Sequence, residues 1–268
     1  MNTSRINFYS KFFVFISGII LLFNSVFAFS EDKKSFSASN YQAAMQSWAQ
    51  LLNTHVDEQG RIDFRTIAEN PQSLSAIVEV IENYGPQTNP SDFTDKNAIL
   101  AYHINAYNAL AMNGVIERGI PKGFTSTLKR ASFFVLRSVV VDGKKTNLYQ
   151  YENKVIRPLG EPRVHFALNC MVKDCPRLPQ QPFSAEHLDK ELDAAAHEFF
   201  DKPVHFRLDS EKKRAYVSEI LKFYTEDFVE SGKKKDLPIY INQYLSEKIP
   251  QDYKVSFIDY DWHINQQP

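Results

Sequence analysis

The chain has 268 residues, 43% of them hydrophobic, with 31 Lys and Arg against 32 Asp and Glu. It is too apolar for a disordered tail and the right length for one compact domain, and 13 Pro, 9 Gly and two Cys exclude collagen-like, mucin-like and cysteine-framework architectures. A formal charge of −1 gives no long-range attraction to nucleic acid or anionic lipid, and Lys233-Lys234-Lys235 reads as a solvated turn, so no nucleic-acid partner is expected.

Arg5 and Lys11 precede or flank an apolar run from Phe12 to Phe27, and Val26-Phe27-Ala28 has the small-residue ending of a processing site. This predicts a signal peptide over residues 1–28, cleaved after Ala28. The apolar run sits near the lower limit for a bilayer span, and Asn24 and Ser25 weaken it further. The expectation is export to the periplasm or the extracellular space, without stable membrane insertion after cleavage. Losing Arg5 and Lys11 leaves 29 basic residues against 32 acidic, a formal charge of −3.

Tyr41, Met45, Trp48 and Leu52 recur at helical spacing, and Ile62-Asp63-Phe64 reads as a short extended piece. Leu74, Ile77, Val78, Ile81 and Tyr84 restore the helical period before Gly85-Pro86 stops it. Residues 29–89 are therefore expected to be an N-terminal helical part of the domain. A third helix is predicted over about 95–118, capped by Asp92 or Thr94. Its apolar stripe is Leu100, Ile104, Tyr107, Ala111 and Val115. Asn108 falls inside that stripe and Asn105 on its margin. A buried amide needs partners, so Asn108 either ties a neighbouring loop to the helix or orients a ligand.

Phe133 to Val141 is β-branched and aromatic enough for one or two strands, and Asp142-Gly143 is the strongest hairpin signal in the chain. Asn147 caps a helix burying Leu148, Tyr151, Val155 and Ile156. Glu152 lies just beyond its first turn, where a solvated acid is the default and a buried hydrogen-bonding acid the alternative. Pro162 to Cys170 reads as a strand, with His165, Ala167 and Asn169 on one face and Val164, Phe166 and Leu168 on the other. Ser184 caps a helix with Leu188, Leu192, Ala195 and Phe199 inside. Val204–Leu208 pairs with Arg214–Val217, and Ser218 caps a helix carrying Ile220, Leu221, Tyr224 and Phe228. A last helix starts near Asp236 and Pro238, and Val255–Trp262 is a strand. The fold class expected is α+β, one domain of several helices around a small, mainly antiparallel sheet.

Ile104-Asn105-Ala106-Tyr107-Asn108-Ala109, His165-Phe166-Ala167-Leu168-Asn169-Cys170, Cys175-Pro176, the Leu188 to Leu192 helix and Tyr260-Asp261-Trp262 together resemble the bacterial and plant domain of unknown function 547. The resemblance covers roughly residues 90–265. It implies that Asn105, Asn108, Glu152, Arg157, His165, Asn169, Cys170, Cys175 and Asp261 belong to a shared pattern, but it implies no biochemical activity. Members often carry Glu-His where this chain has Glu152-Asn153, so a proton-transfer role at the second position has no imidazole here.

Cys170 and Cys175 are five positions apart in a chain expected to be exported, and a turn brings such a pair within the roughly 4.4–6.8 Å between Cα atoms that a disulfide needs. The alternative is a nucleophile: Cys170 with His165 or His263 as base, and Asn108, Asn169 or Asp261 orienting it, as in a cysteine-dependent hydrolase or acyltransferase acting on an amide or ester. His165, Cys170 and Cys175 also form a His-x4-Cys-x4-Cys arrangement, with Asp174 or Asp261 available, but this matches no strong zinc spacing; no metal or cofactor is expected. The favoured reading is a binding or envelope-associated module. Its polar cleft lies near Asn108, Glu152, His165 and the cysteine loop. Asn105, Asn108, Glu152, Asn169 and Asp261 are the ligand-binding candidates, for a small polar molecule or peptide. A structural protein-interaction domain is the third reading.

Overall fold

The computed structural model describes residues 35–268, so the expected signal peptide lies outside the described residues. Helix α1 (Ala38–His55) starts at Ser37, which forms a reciprocal capping box with Asn40. It packs on α3 (Gln72–Asn83) through Trp48, Leu51 and Leu52 against Leu74, Ile77 and Ile81. Between them lies α2 (Phe64–Glu69), capped by the Asp63 carboxylate.

Helix α4 (Lys96–Glu117) is capped by Asp95, whose carboxylate accepts from the Ala98 amide at 2.9 Å, and not by Asp92 or Thr94. Asp92 instead accepts the Tyr84 hydroxyl. The one-stripe expectation for this helix is also corrected. Every residue from Leu100 to Met112 is buried, because α2, α3 and later elements surround it. A helix stretch buried on every side belongs in a core, its polar His103, Asn105 and Asn108 finding partners there, and the small residues Ala101, Ala106, Ala109 and Ala111 let neighbours approach.

Phe133 and Phe134 are not in a strand. They end helix α5 (Thr127–Phe134), capped by Ser126, with Phe133 stacked on Phe124 at 4.2 Å between ring centres. Only Val139–Val141 (β1) is extended, paired antiparallel with Lys144–Thr146 (β2). Asp142 and Gly143 both have positive φ, 52° and 75°, as a tight two-residue hairpin turn requires. The Asp142 carboxylate is buried and accepts from the amides of Gln87 and Thr88, fixing the turn to the end of α3.

Helix α6 (Leu148–Tyr151), capped by Asn147, runs into a π-helical turn over Glu152–Ile156. The expected strand from Pro162 to Cys170 is a 3₁₀ turn over Pro162–Phe166 followed by an irregular loop. Its alternating pattern has a different origin: Val164, Ala167 and Leu168 enter the core around α4, whereas Phe166 enters a second core. That second core is built by α7 (Leu188–Asp201), β3 (Phe206–Asp209), β4 (Arg214–Ser218), α8 (Glu219–Phe223), α9 (Thr225–Phe228), α10 (Leu237–Ile241) and β5 (Lys254–Ile258). The sheet order is β3-β4-β5, antiparallel then parallel.

The architecture is thus α+β, with helices packed around two small, mostly antiparallel sheets. Residues 36–268 form one compact unit, and the core around α4 draws side chains from α1 through Ile264. Among the described residues, no helix is long and apolar enough to cross a membrane.

Candidate functional site

A cavity of about 290 Å³ lies where the two cores meet. Helix α5 lines it with Thr127, Arg130, Ala131 and Phe134; α4 gives Tyr107; the π turn gives Glu152; the loop after the 3₁₀ turn gives Leu168 and Cys170; α8 and its C-cap give Phe223 and Tyr224; and the C-terminal tail gives Tyr260 and Trp262. The tail is held in place by main-chain bonds from Phe124 N to Trp262 O (2.8 Å), Ile264 N to Lys122 O (3.1 Å) and Lys173 N to His263 O (2.9 Å). Gly123 makes this close approach possible, since a Cβ there would stand 2.6 Å from the Trp262 carbonyl oxygen.

Glu152 is buried, at 8% exposure, which corrects the solvated-acid default. Its placement follows from the π turn, which re-aims one residue of an otherwise α-helical stretch inward. Tyr107 donates to Glu152 Oε2 at 3.2 Å. The hydroxyls of Tyr107 and Tyr224 are pushed well above their usual range, by burial first and then by the Glu152 charge; burial and the charges of Asp174 and Glu152 do the same to Tyr260. These phenols stay protonated and available as donors. Among the described residues, no Lys, Arg or His forms an ion pair with Glu152.

His165 is buried behind this wall, stacked on Tyr224 with ring centres 4.0 Å apart. Its Nε2 lies 2.7 Å from Asp227 Oδ2, and Arg157 grips the same carboxylate through Nε at 2.6 Å and Nη2 at 2.7 Å. Burial pushes the Asp227 carboxyl up, but hydrogen bonds from His165 and Arg157 and their charges outweigh it and hold the group well below the usual carboxylate range. Asn153 accepts from Arg157 Nη1 at 2.5 Å and so helps to aim the guanidinium.

Cys170 and Cys175 form a disulfide, with 6.2 Å between their Cα atoms. The Tyr260 hydroxyl lies 3.5 Å from Cys175 Sγ and 3.8 Å from Cys170 Sγ. In this bonded form neither sulfur is a thiolate, and His165 is turned by its Nε2 toward Asp227, so the nucleophile arrangement is not assembled. The His-x4-Cys-x4-Cys set likewise has its sulfurs spent on each other. Among the described residues, no three His, Cys, Asp or Glu side chains gather as a metal site.

None of the three asparagines lines this cavity, Asn105 lining a separate one beside Tyr41 and Phe183, and their amides are occupied. Asn108 donates to Ala167 O at 3.0 Å and accepts from Asn169 N at 2.7 Å. Asn105 makes the equivalent pair with Phe183, donating to its carbonyl at 2.8 Å and accepting from its amide at 3.1 Å. Asn169 donates to Pro176 O and accepts from Met171 N, each at 2.7 Å, closing the disulfide loop. Asp261 accepts from the His263 amide at 2.9 Å and is also outside the cavity. Of the residues singled out from sequence, Glu152, His165 and Cys170 share the cavity, with Trp262 beside them.

Residues 90–200 match the family model described as "Protein of unknown function, DUF547". The chain thus has a DUF547 domain match over this segment, 111 of its 268 residues. The matched segment holds Glu152, His165 and Cys170, whereas Tyr224, Tyr260 and Trp262 come from beyond it, so the cavity is completed by chain outside the match. No curated protein and no solved structure matches the chain significantly.

Sequence reasoning passed over Tyr107, Arg130, Tyr224 and Asp227. Tyr107 sits within Asn105-Ala106-Tyr107-Asn108 and was readable only as core. Arg130 and Asp227 lie on short helices whose tertiary neighbours are far away in the chain. Arg130 stacks over Trp262 at 4.8 Å and donates to Phe124 O and Thr127 Oγ1, each at 3.2 Å; among the described residues no carboxylate pairs with it.

Proposed function

We propose that this DUF547 domain is an exported binding module whose cavity takes a small molecule or peptide end with an apolar or aromatic body and a cationic, donor-rich group held by Glu152. The observation that carries this reading is a buried carboxylate among aromatic walls with no cation beside it. Burying an unpaired carboxylate is costly, and a ligand ammonium would supply the missing charge while the aromatic walls enclose its apolar body. The polar cleft expected from sequence becomes, in this reading, an aromatic cavity with one anionic anchor. Tyr107 keeps that anchor aimed. Arg130 offers a second, acceptor-seeking pole on the opposite chain segment.

The test is a ligand-observed magnetic resonance screen with three probes sharing one ring: phenethylammonium, phenethyl alcohol and 3-phenylpropionate. Saturable binding of the ammonium ahead of the other two supports the reading. Preference for the neutral or anionic probe rejects it.

A further inference from the structure

Helix α5 lines the cavity with Thr127, Arg130, Ala131 and Phe134, and these positions cluster on one side of the helix. Leu128 stands on α5 outside this lining, while Val135, the C-cap of α5, sits at the cavity rim and Leu136 follows it. Leu128 is 76% exposed, Leu136 72% and Val135 42%. The cavity rim carries two more exposed apolar groups, Tyr149 and Phe223. Single exposed aliphatics are ordinary on a protein surface, but three on one short helix and the two residues that follow it, at the mouth of an aromatic cavity, form a patch.

The chain segment that carries this patch is charged with one sign. From Arg118 to Arg137 the chain carries Arg118, Lys122, Lys129, Arg130 and Arg137 and no acidic residue. Arg137 is neutralised by Glu117, and Arg118 is tied to Ser132; Lys122, Lys129 and Arg130 have no carboxylate partner among the described residues. This local excess contrasts with a chain that is near neutral as a whole. Exposed aliphatics beside unpaired basic side chains are the composition of an interfacial helix.

We propose that the α5 face docks peripherally on an anionic phospholipid bilayer, inserting Leu128, Val135 and Leu136 among the acyl chains while Lys122 and Lys129 meet the headgroups. A second copy of this chain would bring the same positive charge onto itself, whereas an anionic bilayer complements it. Docking in this orientation sets the rim residues Tyr149 and Phe223 at headgroup level. The inference stands apart from the identity of the cavity's ligand, and its test involves none.

The full mature chain is sedimented with phosphatidylcholine vesicles prepared with and without phosphatidylglycerol. The expected result is pelleting with the phosphatidylglycerol vesicles, reversed by added salt. Lys129→Glu, and separately Leu128→Asp, should each weaken it by about tenfold. Both side chains are exposed, so the variants should keep the parent melting temperature. Absence of pelleting with anionic vesicles overturns the proposal, as does pelleting that neither variant weakens. Self-association lost in Leu128→Asp without vesicle binding would assign the patch to a second copy and also overturn it.

Discussion

The side chain of Asn108 holds the main chain of Asn169, its Oδ1 accepting from that amide at 2.7 Å from the buried middle of α4. The same amide group donates to Ala167 O, so one residue secures both ends of the turn that leads into Cys170. Replacement by Ala leaves a buried N–H and a buried C=O without partners. Asn108→Ala should therefore cost about 2–4 kcal/mol, read as a lower midpoint in urea denaturation. Asn108→Asp keeps the acceptor but buries a carboxylate oxygen against Ala167 O, and should cost at least as much as the alanine variant.

The helical skeleton was legible where the apolar period was clear: α1 and α3 follow their apolar spacing, and Asp142-Gly143 turns as its residue types demand. It was illegible where one short segment serves two cores. Val164 and Phe166 alternate because they diverge into different clusters, not because the chain is extended. Phe133 and Phe134 misled in the same way, β-favouring residues drawn into a helix by packing on Phe124. For the site, Glu152 and His165 were marked by type and context. The tyrosines around Glu152 come from α4, the C-cap of α8 and the tail, a convergence that no spacing records.

Breaking the disulfide should lower stability by about 2 kcal/mol, the loop-closure value for so short a ring. The pair Cys170→Ser and Cys175→Ser should show this loss in chemical denaturation. Intact mass before and after reduction should differ by two hydrogens in the parent chain and by none in the double variant.

Stability should fall on mild acidification. Burial lowers His103, hydrogen-bonded to Tyr151, to about 4, although the Asp142 charge opposes this; burial and the nearby Lys202 charge lower His205 to about 3. Between the ordinary histidine value near 6.5 and these values, the unfolded chain binds protons at both sites and the folded chain does not. Folding free energy is thus fully present above about pH 6.5 and is lost as pH falls, by up to about 1.4 kcal/mol per pH unit for each histidine. Asp227 is depressed below the ordinary carboxylate range, so its contribution persists through this window and is lost only at more acidic pH. Urea midpoints at pH 7.5 and pH 5 should differ in the parent, and His205→Gln should narrow the gap.

Trp262 lies on the cavity wall and the chain's other tryptophan, Trp48, is sealed in the core, so tryptophan emission reports directly on cavity occupancy. The decisive measurement is a fluorescence titration with phenethylammonium of the parent chain and of Glu152→Gln, which keeps an acceptor for Tyr107 but removes the charge. The account predicts saturable quenching in the parent and an affinity about tenfold to a hundredfold lower in the variant, the worth of a charged hydrogen bond. Equal affinity in the two proteins, with both folded, would contradict it.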